Sequence, residues 1–450
     1  MYFSRLLDRW LRRRYSRSEI KTKTVLFCIS LAYSYLCTVV AETMGNHIRY
    51  IVLGLFALVF CSFSECRAQD TLRTDSADVL PLRFALLTCT PGTDAYAHFG
   101  HTAILKVSEQ QPTVYNYGCF DATQKYFLFN FIAGNTNYLL EDEPLDYFLW
   151  RYSQMGNGVT LQLLNLKDSE NERLSELLAE NMQTENQTYL YNWLYDNCTE
   201  RARDIIEKAI EGEVVYPEVT KKVTVRDMLH AKLTDSPWLQ LGIDMVLGEE
   251  IDRETDARTM MFIPDFYQAE LSGARIKESD GTERKLVEDN VTLLTPTPES
   301  HADPLFITPM MVFSLILILS ICVSIYNIVD GKRRLWFDAT LLTAQGLAGC
   351  IVAYLFFFSK HPAVDSNWLV IVFNPLFLVY GIMLFMGKQK PAAEYANLAV
   401  LIAFLVIMQC AGQWFNPIVY LMLSALLIRS CMRLIMHNRH RNSNIKTLRR

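Results

Sequence analysis

"HTAILKVSEQQPTVYNYG", residues His101 to Gly118, is the stretch from which the fold is read. Its opening residues alternate so that His101, Ala103, Leu105 and Val107 share one face of a β-strand. The polar "SEQQP" interrupts the alternation, and "TVYNYG" reads as the return strand of a hairpin, with Val114, Asn116 and Gly118 on one face. A core strand rarely begins with an imidazole, and a second one, His98, lies three residues upstream in "DAYAHFG". The chain has only eight histidines, so this pair points to chemistry, a metal or a satisfied buried hydrogen bond.

Further along, "YDNCTERARDIIEKAI" reads as the start of a helix. Asn197 is a good N-cap, Glu200 three residues on completes a capping-box pattern, and Ala202, Ile205, Ile206 and Ala209 recur at helical spacing. Cys198 is then the first helical residue, where free N–H groups and the helix dipole favour a thiolate. The competing reading is a small apolar side chain tucked under the loop. A cysteine nucleophile needs a base and usually a third group to orient that base. Cys198, His101 and Asn116 supply those three residue types. A metal needs three or four ligands, of which His-x-x-His supplies two, and His230 and His301 are isolated in polar contexts, so no metal and no cofactor are expected. No phosphate-binding glycine loop, G-x-S-x-G elbow or paired-carboxylate motif is present.

The 450 residues allow two or three domains, and the composition is 51% hydrophobic and 20% charged. The net charge is −5 at pH 7, and no nucleic-acid partner is expected. The apolar residues are unevenly distributed. Residues 69–305 have ordinary globular composition, whereas residues 306–436 contain five long apolar runs, near 308–328, 338–358, 368–386, 396–412 and 417–436. The loops "DGKRRLW" and "GKQKPAAEY" are basic, as is the tail from Arg429 to Arg450, whereas "KHPAVDSNW" and "GQWFN" are nearly uncharged. Positive-inside bias therefore puts the tail, residues 437–450, in the cytoplasm and residues 69–305 outside.

The segment "MGNHIRYIVLGLFALVFCSFSECRAQD" has the layout of a secretory signal, with cleavage expected after Ala68. The 43 residues before Met44 hold a second apolar run. Two such runs are redundant for one export event, which favours Met44 as the true first residue over an uncleaved anchor. Residues 1–68 are thus read as an extension plus signal peptide. Of the eleven cysteines, three fall in the exported part: Cys89, Cys119 and Cys198. Cys89 and Cys119 each end a strand-like run and are expected to be able to pair across neighbouring strands, which leaves Cys198 free.

A strand opening with His-x-Ala-Ile, a polar residue on the next strand and a later Asn-Cys at a helix start follow the circularly permuted papain-like order. That order resembles the superfamily of lecithin:retinol acyltransferase and NlpC. More specifically, "HFGHTAI", "VYNYGCFD", "YLYNWLYDNCTERARDII" and "MFIPDFY", followed by a multi-spanning part with "HPAVDSNW" and "FNPL", resemble the Lnb family of Bacteroidetes. The resemblance covers roughly residues 80 to 420. It implies an α+β fold, a permuted papain-like periplasmic domain followed by an all-α five-helix transmembrane domain in the inner membrane. It implies Cys198 as nucleophile, His101 as general base and Asn116 as orienting residue. His98, Tyr117, Asn197 and Arg151 are possible lining residues, with Arg151 and Gln154 placed on a loop before a strand. The implied activity is lipoprotein N-acylation, with a membrane phospholipid as acyl donor and a diacylated lipoprotein as acceptor. The rivals are an NlpC-like cysteine hydrolase of peptidoglycan or lipid esters, and a tethered interaction protein with a buried Cys198. His361, Asp365 and Asn367 sit at the outer mouth of a span with no assigned role.

Overall fold

Alternation in Arg83–Cys89 (β1) sends Phe84 and Leu86 to one side of a sheet and Ala85, Leu87 and Cys89 to the other, and all five are buried. The structure is a computed structural model and describes residues 82–92, 97–107, 111–121, 123, 125–218, 222–297 and 307–448. The signal segment, Met44, the cleavage site, Asp94–Tyr96 and His301 lie outside the described residues. The hairpin has the expected bounds, His101–Val107 (β2) and Thr113–Cys119 (β3). The chain continues through α1 (Phe127–Ile132), β4 (Asn137–Pro144), α2 (Leu145–Gln154), β5 (Val159–Leu164), α3 (Asp168–Asn181), β6 (Thr188–Leu190), α4 (Cys198–Ala209) and β7 (Glu213–Val215). Then come α5 (Val225–Lys232), α6 (Pro237–Val246), α7 (Ala257–Met260), α8 (Pro264–Gly273), β8 (Arg275–Lys277), β9 (Glu283–Lys285) and β10 (Val287–Leu294).

Seven strands form one antiparallel sheet in the order β10-β5-β1-β2-β3-β4-β6, and β7-β8-β9 form a smaller one. Helices α3 and α4 bury Leu174, Leu178, Ala202 and Ile206 against Phe84, Leu86, Ile104 and Tyr117. Helix α2 covers the opposite face, where Phe148 and Tyr152 meet Ala103, Leu105 and Val114. The pairing of β10 with β5 is irregular at two points, Val287/Asp289 and Thr292/Leu294.

The apolar runs fold as α9 (Pro309–Asp330), α10 (Leu335–Phe358), α11 (Leu376–Phe385), α12 (Pro391–Cys410) and α13 (Pro417–Leu448). Four of these, all but α11, are long and apolar enough to cross a membrane. The third run, 368–386, does not fold as one continuous helix. The chain makes a 3-10 turn at Trp368–Val370 and becomes helical again only after Pro375, so α11 has ten residues. At ~1.5 Å per residue it covers about half of a ~30 Å hydrocarbon layer. Proline brings no N–H to the break. Asn374 bridges it, donating to the Ile371 carbonyl at 2.9 Å and accepting from the Leu376 N–H at 3.2 Å. Gly346 and Gly349 let this segment lie against α10: a Cβ on Gly349 would stand 2.4 Å from the Asn374 nitrogen, and one on Gly346 2.0 Å from that of Leu378. Irregular backbone is tolerated at membrane depth when protein surrounds it in this way. At the end away from the sheet domain, Arg429 makes a fork onto Asp338, and Arg433 joins Asp338 to Glu394. These four buried side chains tie α10, α12 and α13 together, and Tyr380 of α11 adds a bond to Glu394 at 2.5 Å.

The loops at the other end dock on the sheet domain, which accounts for the polar residues at the outer mouth. His361 donates to the Phe131 carbonyl at 2.6 Å, and Asn367 donates to that of Met245 at 2.9 Å. Trp368 donates its indole N–H to Glu249 at 2.9 Å. Beneath them Arg226, 2% exposed, donates to Asp244 at 2.8 Å and to Asp252 at 2.6 Å. Asn416 and the Trp414 backbone N–H, both from the bundle, reach those same two carboxylates at 2.8 and 3.0 Å. His230, expected to be isolated, also hydrogen-bonds Asp244 at 2.8 Å and packs on Trp414. Removing one partner of such a buried pair strands the others. Arg226→Met is expected to cost roughly 3–5 kcal/mol, measured as a lowered thermal unfolding midpoint of the detergent-purified chain.

Candidate active site

Asn197 sets the position of Cys198. Its side-chain oxygen accepts from the N–H groups of Thr199 and Glu200 at 2.8 and 3.1 Å, and its amide donates to the carbonyls of Trp193 and Phe262 at 2.9 and 2.8 Å. The cap is thus tied on both sides of the turn, and Cys198 emerges as the first residue of α4. The Thr102–Thr199 hydroxyl pair, 3.1 Å apart and buried, pins this helix start to β2. Beside Cys198 stands Gly118, with φ +92°, a conformation that suits glycine. A Cβ built there would lie 3.7 Å from that of Cys198.

His101, at the opening of β2, is half-buried and close enough to Cys198 for each to shift the other's titration. Its Nε2 faces the Asn116 side-chain oxygen at 3.2 Å. Asn116 is held in that orientation because its amide donates to Glu143 at 2.8 Å, and Glu143 in turn accepts from Arg151 at 2.5 Å. An acceptor opposite Nε2 keeps a proton on that nitrogen, which leaves Nδ1 for the thiol. Hydrogen bonds therefore run His101–Asn116–Glu143–Arg151, with Cys198 beside the histidine.

Three cysteines in one domain illustrate what this setting does. Burial drives the Cys89 thiol far up, against a hydrogen bond with Tyr152, and pushes Cys119 up to about 12, with Glu141 adding to the effect. Burial acts on Cys198 in the same sense, but the His101 cation and hydrogen bonds from His101, the Thr102 backbone and Thr199 outweigh it, and its thiol lies below the ordinary value. Burial likewise disfavours the His101 cation, yet the Cys198 thiolate and the bonds to Cys198 and Asn116 raise it. Each of the two groups thus favours the charged form of the other.

Not every expected residue joins it. His98 bonds Ser236 at 2.8 Å, at the start of α6. Tyr117 is buried on the α3 side of the sheet, its hydroxyl accepting from Asn181 at 2.8 Å, so it belongs to the core rather than the lining. Arg151 is in the last turn of α2, not in a loop. The pairing that Cys89 and Cys119 could have made across neighbouring strands is not formed: β2 lies between β1 and β3, and both thiols are free. Two strand spacings make roughly 10 Å, beyond disulfide reach. Glu143 escaped the sequence reading because it lies in an acidic run, "EDEP", whose alternation shows only once β4 is paired with β3.

Because the Cys198 thiol is lowered, its thiolate is present below the pH at which ordinary thiols ionise. Alkylation by iodoacetamide followed against pH, with the adduct located by peptide mass, is expected to show an early onset at Cys198. In His101→Ala the onset moves up toward the ordinary thiol range, because burial then acts unopposed by the cation.

Residues 68–231 match the Lnb N-terminal periplasmic domain, and residues 301–441 match the Lnb transmembrane domain. No curated protein and no solved structure matches the chain. The first match holds the hairpin, the Cys198 helix and the whole hydrogen-bonded row, and the second holds the helical bundle beneath them. The two domains follow one another in the order read from the sequence, and the chain belongs to the Lnb family, as a membrane-anchored enzyme with a periplasmic N-terminal domain.

Proposed function

We propose that the protein is a lipoprotein N-acyltransferase working by two acyl transfers through Cys198. The observation that carries this reading is a cysteine at a helix start beside a histidine, in a domain hydrogen-bonded to a membrane bundle. In the first step the Cys198 sulfur attacks a phospholipid ester carbonyl. A C–S bond forms, the C–O bond breaks, and the proton held on His101 passes to the departing oxygen of the lysophospholipid. In the second step the free α-amine of a diacylglyceryl-modified lipoprotein cysteine attacks the thioester. His101 takes the proton from nitrogen, the C–S bond breaks, and the amide leaves as the triacylated lipoprotein. Asn116 holds the His101 ring through both steps, with Glu143 and Arg151 behind it. A thioester divides a difficult exchange into two easier ones.

The membrane setting supports this choice over a peptidoglycan hydrolase. Both proposed substrates are embedded in lipid, whereas a wall hydrolase needs one anchor and reach. Hydrolysis of the same thioester by water is the alternative that the experiment separates. Arg333, Arg334 and Lys388, at the bundle end away from the sheet domain, support an inner-membrane placement with the C-terminus in the cytoplasm.

Incubation with labelled phospholipid is expected to give a hydroxylamine-sensitive adduct on the wild type and none on Cys198→Ala. An undiminished adduct on that variant refutes the mechanism. Addition of a diacylated lipopeptide moves the label to its amine, and release as free fatty acid alone identifies a hydrolase. His101→Ala is expected to lose roughly 10²–10⁴-fold in rate, whereas His98→Ala, bonded to Ser236, retains most of it.

A further inference from the structure

A row of aromatic rings connects the mouth of the membrane bundle with the thiol. Helix α1 is tied to the end of α10: Ser359 donates to the Ile132 carbonyl, the Lys360 N–H to that of Ala133, both at 2.9 Å, and His361 to that of Phe131. The last residues of α10, Phe357 and Phe358, are 66% and 71% exposed on a helix apolar enough to span a bilayer. From this point Phe131 stacks on Phe127 at 6.1 Å, Phe127 on Phe120 at 5.5 Å, Phe120 meets Tyr138 at 5.1 Å, and Tyr138 stacks on Tyr191 at 4.3 Å. The Tyr191 ring and the Cys198 side chain both lie against Gly118, 3.9 and 3.7 Å from its Cβ position. The inner rings, Tyr138, Phe120 and Tyr191, pack on the main core, and the row leaves it at Phe127 and Phe131. Tyr138 is buried, Phe120 and Phe127 are half-buried and Phe131 is exposed, so the rings lie progressively more open toward the bilayer. Phe129, 70% exposed, widens that open end. An apolar stripe of this kind is a binding surface. Its two ends select the occupant, since one adjoins lipid-facing helix and the other a nucleophile.

We infer that this stripe is the track along which one acyl chain of a membrane phospholipid lies while its ester reaches Cys198. The identity of the ester rests on the acyl-transfer reading, but the location of the chain is testable without turnover. The chain passes from one apolar medium, the bilayer, to another, so the rings select by fit and contact rather than by expulsion of water, and acylation is expected to peak at the chain length that fills the track.

The experiment uses the full-length Cys198→Ser chain in phosphatidylglycerol vesicles containing a phosphatidylethanolamine with a diazirine on one acyl tail. After irradiation, adducts are mapped by peptide mass. Adducts within 120–138 and at Tyr191, reduced at least fivefold in a Phe127→Ser version, support the track. Adducts confined to residues 309–448 overturn it. With the wild-type cysteine, a chain-length series completes the test: Phe127→Ser is expected to flatten the dependence while the pH profile of Cys198 alkylation shows the site intact. An unchanged dependence counts against the track. Adducts on the rings without any thioester at Cys198 would keep the track and refute acyl transfer, and a thioester with adducts only in the bundle would do the reverse.

Discussion

The fork of Arg226 onto Asp244 and Asp252 decides where everything else can be. It is buried at the junction of the sheet domain and the bundle, and both carboxylates also bind groups from the bundle, Asn416 and the Trp414 backbone. A lone charge there would carry a large desolvation cost, and Arg226 finds its hydrogen-bond partners within its own domain, while each carboxylate takes one further bond from the bundle. The two domains therefore share these two carboxylates. The height of Cys198 above the bundle follows from this, because α5 and α6 hold Arg226 and Asp244 while the outer loops hold their counterparts.

The site itself is assembled from two local rules and one pairing. A helix N-cap places Cys198, strand alternation places His101, and the β2–β3 hairpin brings Asn116 onto the same face. All three rules act over a few residues, which is why these positions were legible in the sequence. The elements behind them were not. Glu143 joins only through the pairing of β3 with β4, and the partner of His98, Ser236, is 138 residues away. The same limit explains the third apolar run. Its hydropathy says that it belongs in the membrane, but the break at Asn374–Pro375 depends on glycines of α10 that make room for it. Burial reads from composition, whereas a partner's shape does not.

Cys89, Cys119 and Cys198 make a related point about residue type. The three thiols share one small domain, and in two of them burial outweighs what a hydrogen bond with Tyr152 and the Arg151 cation offset. Only at the third do a cation and hydrogen bonds outweigh burial. The motif around Asn197 singles out that one because a cap is a local feature, and the histidine that completes it comes from a strand nearly a hundred residues earlier.

The two borders of the seven-stranded sheet bear on life in a crowded membrane. A strand with free backbone groups is a template on which a neighbouring copy can zip up, and anchored proteins held at one height in a plane meet edge to edge more often than free ones. Here one border, β6, is three residues long. The other, β10, carries Glu288 and Asp289 and is irregular at two points. Neither offers a long, flat, apolar edge, so copies can be packed at high density in the membrane without fusing their sheets.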